Sequence, residues 1–156
     1  MKNNGYFLLI ILIMAALSGC KKTASVMHIE PVIETMGQFR NPLSDKGKRA
    51  IPFTENGTDY LFIVYADCSD CISTFFYALN EIADENPDRI FVLVPEGSAK
   101  VLSYYLNNSS STVRDNISIL ESIDLLDQPV SSYNGHFYKV EDKAITKCWR
   151  VSHKES

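Results

Sequence analysis

The chain carries no surplus of positive charge and no basic stripe. Its 15 Lys and Arg residues are outnumbered by 19 Asp and Glu, for a formal net charge of −4, and the cations are scattered along the sequence. Nucleic-acid binding needs clustered cations facing a phosphate backbone, so this balance argues against a nucleic-acid partner. No internal repeat is visible. Only one long apolar run exists, Tyr6 to Leu17, and it is too short and too promptly ended by small residues for a settled transmembrane helix. A chain of 156 residues is long enough for one domain with a real core plus a tether.

That apolar run follows a polar start with Lys2 and leads into Leu17-Ser18-Gly19-Cys20, the layout of a secretory signal. Leu-Ser-Gly-Cys resembles the bacterial lipobox. The resemblance implies removal of residues 1–19, lipid on the Cys20 sulfur, and a bacterial cell-envelope location with the domain facing the periplasm or exterior. The membrane is then the first expected partner. The competing reading is an uncleaved anchor helix with an incidental cysteine. Cleavage would remove Lys2 and no acidic residue, leaving 137 residues with 14 basic and 19 acidic side chains, a net charge of −5. Several acyl chains on one residue make a durable anchor, since each buried methylene adds about 0.8 kcal/mol.

Residues 20–58 are punctuated by Pro31, Gly37, Pro42, Gly47, Pro52 and Asn56-Gly57, with no sustained period. They read as the lipidated Cys20 and a tether, with one short helix or edge strand around Ile29–Phe39. Residues 59–152 read as the folded domain. Tyr60 to Ala66 is a continuous apolar run rich in aromatic and β-branched residues, which suits a strand buried on both faces. Ile72, Phe75, Phe76, Leu79, Ile82 and Ala83 recur at offsets 0, 3, 4, 7, 10 and 11, one face of an α-helix that Asn86-Pro87 ends. Arg89–Val94 predicts a second strand, Ser98–Leu106 a second helix, and Asn116–Leu120 a short third strand. Phe137–Val140 and Ala144–Trp149 flank Glu141-Asp142-Lys143 as an antiparallel hairpin. Strands alternating with helices predict an α/β fold, a parallel core with an antiparallel edge.

Cys68-Ser69-Asp70-Cys71 falls at the junction of the first strand and the first helix. This order, with CxxC at that junction, resembles the thioredoxin-like fold over about residues 58–150, in particular the lipid-anchored thiol–disulfide oxidoreductases of the bacterial periplasm. The resemblance implies a central mixed β-sheet flanked by helices, an exposed first cysteine and a shielded second one. Carried onto this chain, Cys68 is the attacking nucleophile and Cys71 the resolving thiol, the substrates are protein thiols or disulfides, and no cofactor is needed. The placement has a physical reason: a thiolate attacks a disulfide, and a helix N-terminus offers N–H groups and partial positive charge to stabilise it. Asp67 and Asp70 oppose part of this by like-charge repulsion, which leans toward a reductant. The chain departs from the family in three places. Asp67 stands where a tryptophan is usual, the nearest proline before the hairpin is Pro129, eight residues upstream of Phe137, and little room is left for a terminal helix.

Other readings stand beside this one. In an oxidising compartment the pair could be a structural disulfide that staples the helix start. A non-catalytic thioredoxin-fold module binding a protein partner at the membrane is the different-class alternative. Cys68, Cys71 and His136 could together hold Cu(I), because two thiolates and an imidazole suit a soft ion. Cys148 reads as a buried small hydrophobe, an intermolecular disulfide partner or a regulatory third cysteine. Trp149, Tyr65, Tyr77, Tyr104 and Tyr105 read as core and rim packing.

Overall fold

The computed structural model describes residues 26–32, 40–122, 124–133 and 135–154. The expected signal segment and Cys20 lie outside these, as does most of the stretch around Ile29–Phe39. Residues Met27–Ser152 form one compact unit; a second unit takes in 1–26 and 153–156, of which only the tips of the first and last strands are described. Six strands form one sheet: β1 (Val26–Pro31), β2 (Thr58–Ile63), β3 (Arg89–Val94), β4 (Ile117–Glu121), β5 (His136–Glu141) and β6 (Ala144–Lys154), in spatial order β1-β6-β5-β2-β3-β4. The helices are α1 (Asp45–Ala50), α2 (Ser69–Ile82) and α3 (Ala99–Asn107). The fold is therefore mixed α/β, with β2, β3 and β4 parallel and β5 antiparallel to both β2 and β6.

Burial on both faces explains the unbroken apolar run of β2. Tyr60, Phe62 and Val64 point to one side, where Phe75, Leu79 and Ile82 of α2 and Leu102 and Leu106 of α3 meet them. Leu61 and Ile63 point to the other. Both long helices lie on the same face because the sheet advances from β2 to β3 to β4 without reversing, and right-handed crossovers taken in one direction stay on one side. Flanking by long helices thus holds for one face only.

The second face is closed by what the sequence reading assigns to the tether. Leu43, Ile51 and Phe53 are buried there together with Leu125, Val130 and Tyr133. Helix α1 is capped by Ser44, whose hydroxyl accepts from the Gly47 N–H at 3.0 Å, and it lies so near the loop after β4 that a Cβ on Gly47 would sit 2.1 Å from the Leu125 carbonyl oxygen. The stretch carries no helical or strand period because it follows the contour of an existing apolar surface. Asp59, buried in β2, has its carboxylate satisfied by the Thr54 N–H at 2.6 Å and the Thr54 hydroxyl at 2.9 Å.

Helix α2 ends in a 3-10 turn and an αL residue, Asn86, followed by Pro87. The β5–β6 hairpin turns on Asp142 and Lys143, both at positive φ (51° and 65°), the conformation of a type I′ connection.

Three buried tyrosines give the fold a pH dependence. Tyr60 donates to Glu85 at 2.5 Å, Tyr133 donates to Asp127, and Tyr138 lies beside Cys148. Burial first, and these neighbours second, push all three phenols well above their usual pKa. Below about pH 10 they are neutral in folded and unfolded chains alike. Above it the unfolded chain loses protons that the folded chain keeps, so stability should fall with rising pH by about 1.4 kcal/mol per unit for each tyrosine. Urea midpoints at pH values on either side of the tyrosine pKa check this; a flat profile above it contradicts the burial of the hydroxyls.

Candidate functional site

Cys68 is the N-cap of α2, in an extended conformation (φ −120°, ψ 119°). Its N–H donates to the Tyr65 carbonyl at 3.3 Å, its carbonyl accepts from Ile72 at 3.1 Å, and its Sγ accepts the Cys71 N–H at 3.2 Å. Cys71 sits one turn on, at a helix position whose neighbours Ile72, Phe75, Ala78 and Leu79 are all buried. The spacing therefore does two things: it leaves Cys68 half-exposed at the cap and draws Cys71 to 6% exposure against the core. The two are joined as a disulfide, with their Cα atoms 5.2 Å apart.

The surroundings come from the carboxyl ends of the parallel strands, the usual place for a site in an open α/β sheet. After β2 come the exposed Asp67 and the disulfide; after β3 comes Ser98, whose hydroxyl approaches the Asp67 carboxylate at 3.5 Å. Gly97, at φ 79°, donates its N–H to Glu121 at the end of β4 at 2.9 Å. Asp70 is exposed on the first turn of α2. From the far side, the chain entering β5 closes in. Cys71, Thr74, Gly135, His136, Phe137 and Val151 surround a hollow of about 10 Å³, the room that one water molecule needs. Gly135 has φ 76°, and a Cβ there would lie 3.0 Å from the Val151 carbonyl oxygen. Both facts favour glycine at this position, on the hollow that Cys71 also lines. The sequence shows Gly135, but not that it would line the same hollow as Cys71.

His136 does not join the cysteines as a metal ligand. Strand alternation sends Phe137 toward the helices and Tyr138 and Val140 to the opposite face, so the His136 side chain shares the face of Tyr138. There it borders a cavity of about 210 Å³ together with Arg40, Tyr133, Tyr138 and Cys148. Among the described residues no group of three His, Cys, Asp or Glu side chains could hold one metal ion. The Cu(I) set Cys68, Cys71 and His136 is thus not assembled in the disulfide form.

Cys148 lies outside the disulfide, buried in β6 opposite Tyr138, on the sheet face away from α2. The intervening sheet separates it from the Cys68–Cys71 pair. Cys148→Ala should therefore leave the rate of any disulfide exchange within about twofold of wild type, measured on a peptide reporter; the larger cost falls on packing. A large rate loss would restore the three-cysteine reading.

Trp149 stacks on Phe137 at 5.2 Å and Tyr60 at 6.3 Å, so it is core packing; Tyr65, Tyr104 and Tyr105 are exposed at the rim. No helix among the described residues is long and apolar enough to cross a membrane. No protein-family model, no curated protein and no solved structure matches this chain.

Proposed function

We propose that the protein is a lipid-anchored thiol–disulfide oxidoreductase of the bacterial envelope, working through Cys68 as nucleophile and Cys71 as resolving thiol. The observation that carries this reading is the asymmetry of the pair: Cys68 is half-exposed at the helix cap with an amide donor on its sulfur, and Cys71 is buried behind it. A thiolate on Cys68 is stabilised by that amide and by the helix N-terminus. It attacks one sulfur of a partner disulfide and expels the other as a thiolate. Cys71, once deprotonated, attacks the Cys68 sulfur, releases the second partner thiol and closes the internal disulfide, so two electrons pass to the partner. The reverse sequence oxidises a partner dithiol. Burial of Cys71 keeps outside thiols from competing with it.

The likeness to thioredoxin-like proteins is supported by β2 leading through CxxC into α2, by β3 parallel to β2, and by the β5–β6 hairpin on the other side of β2. Anchoring rests on Leu17-Ser18-Gly19-Cys20, and mass analysis finding residues 1–19 intact and Cys20 unmodified would overturn it.

Alkylation of the reduced protein at limiting reagent tests the assignment of roles. Cys68 should be labelled before Cys71. Equal or reversed labelling, together with no exchange on a reporter disulfide, would favour a non-catalytic module that binds a protein partner.

A further inference from the structure

We infer that the Cys68–Cys71 pair serves thiols and disulfides of other membrane-anchored proteins, held close to the bilayer surface, in preference to freely soluble proteins. This rests on the reading above, that Cys20 is lipidated and that the pair exchanges disulfides.

The inference comes from where the chain enters the sheet. Along β1 and β6, the His28 ring meets the Ser152 hydroxyl at 3.1 Å, Glu30 pairs with Arg150 at 2.6 Å, and the Val32 N–H donates to the Cys148 carbonyl at 3.0 Å. Residue numbers rise on one strand as they fall on the other, so the two run antiparallel and Met27 begins at the Ser152 end. In β5, His136 pairs with Arg150 and Phe137 with Phe62. The carboxyl end of β2, which leads directly to Cys68, is therefore at that same end. The anchor strand and β2 are separated by β6 and β5, three strand spacings or about 15 Å.

The tether is short. Residues 20–58 read from sequence as a tether with one short helix or edge strand around Ile29–Phe39, and β1 already contains Met27, only seven positions beyond Cys20. Fully stretched, that span reaches about 25 Å. A domain of this size is about 35 Å across. To point the CxxC end away from the bilayer, the tether would have to run the length of the domain, and it falls short. The disulfide is thus kept on the membrane side. Asp67, Asp70, Glu96 and Glu121 are all exposed at this end. Lys100 is exposed beside them and offsets part of this charge, and Lys21 and Lys22 draw the tether, not this face, to anionic headgroups. The acidic remainder disfavours close contact of the face with lipid and leaves room for a polypeptide.

The test uses the full lipidated chain, reduced and reconstituted in vesicles of neutral and anionic phospholipid. Two lipid-anchored reporter peptides carry the same disulfide, one a few residues above the bilayer and one on a long Gly/Ser stalk. The near reporter should be reduced about tenfold faster than the far one, because only it shares the disulfide's restricted height. The two should become equal in detergent, and insertion of a long Gly/Ser segment between Thr23 and Ala24 should erase the difference on vesicles. Equal rates on vesicles for the unmodified chain, or faster reduction of the far reporter, overturn the inference. No exchange with a soluble disulfide peptide in detergent overturns the redox reading instead, and failure of the protein to float with vesicles overturns the anchor; either outcome removes the inference with it.

Discussion

Cys71→Ser should convert a transient exchange into a stable adduct. The half-exposed Cys68 thiol can still attack a partner disulfide, but serine cannot displace the partner from the Cys68 sulfur, so a covalent mixed disulfide should accumulate and turnover should fall by roughly two orders of magnitude or more. Cys68→Ser should lose turnover equally and trap nothing, because the remaining thiol is only 6% exposed. Non-reducing gels of envelope fractions carrying each variant separate the two outcomes, and the trapped species identifies the partner. If neither variant changes exchange, or both trap partners equally, the division of roles at the helix cap is wrong.

The largest structural effect is expected at Phe62. Its ring stacks on Phe137 at 5.2 Å with a 7° interplanar angle and meets the edge of Phe75 at 5.2 Å. It therefore ties β2 at once to the hairpin and to the helix that begins at the disulfide, and it is 2% exposed. Phe62→Ala should cost about 3–5 kcal/mol in chemical denaturation, the sum of lost transfer energy and an unfilled cavity. Phe62→Leu should recover most of that. A cost below about 1 kcal/mol for alanine would mean that the site collapses and refills, and that the aromatic stack adds little.

The sequence made the disulfide-bearing half of the domain legible because that half is locally determined. The apolar run of β2 and the 3.6-residue spacing of α2 each need one strong period, and their meeting point put Cys68 and Cys71 at a helix start. Arg89–Val94 was recoverable for the same reason, and so was the existence of the hairpin, although its register shifts between Lys139 and Val140. The layer of residues 40–53 was not. Leu43, Ile51 and Phe53 are buried singly in irregular backbone, and their partner Leu125 is remote in sequence, so no local pattern marks them. Nor could the facing of His136 be read. A residue at the start of a strand takes its side from the register of the whole strand, and that depends on Phe137 pairing with Phe62. The close approach of Gly135 to the Val151 carbonyl was hidden likewise: it joins two segments and is carried by the absence of a side chain.

The face opposite α2 is fastened by a bond that spans 80 residues of chain, from the Ser44 hydroxyl to the Asp124 carbonyl. Lifting that cover would release conformational entropy in two irregular segments while every rung of the sheet stays in place, so partial opening there should precede global unfolding. Cys148 lies in the core beneath it. Its thiol is thus a natural clock: the rate at which it yields to a thiol reagent under native conditions would read the free energy of this one opening, with the Cys68–Cys71 disulfide shut and silent throughout.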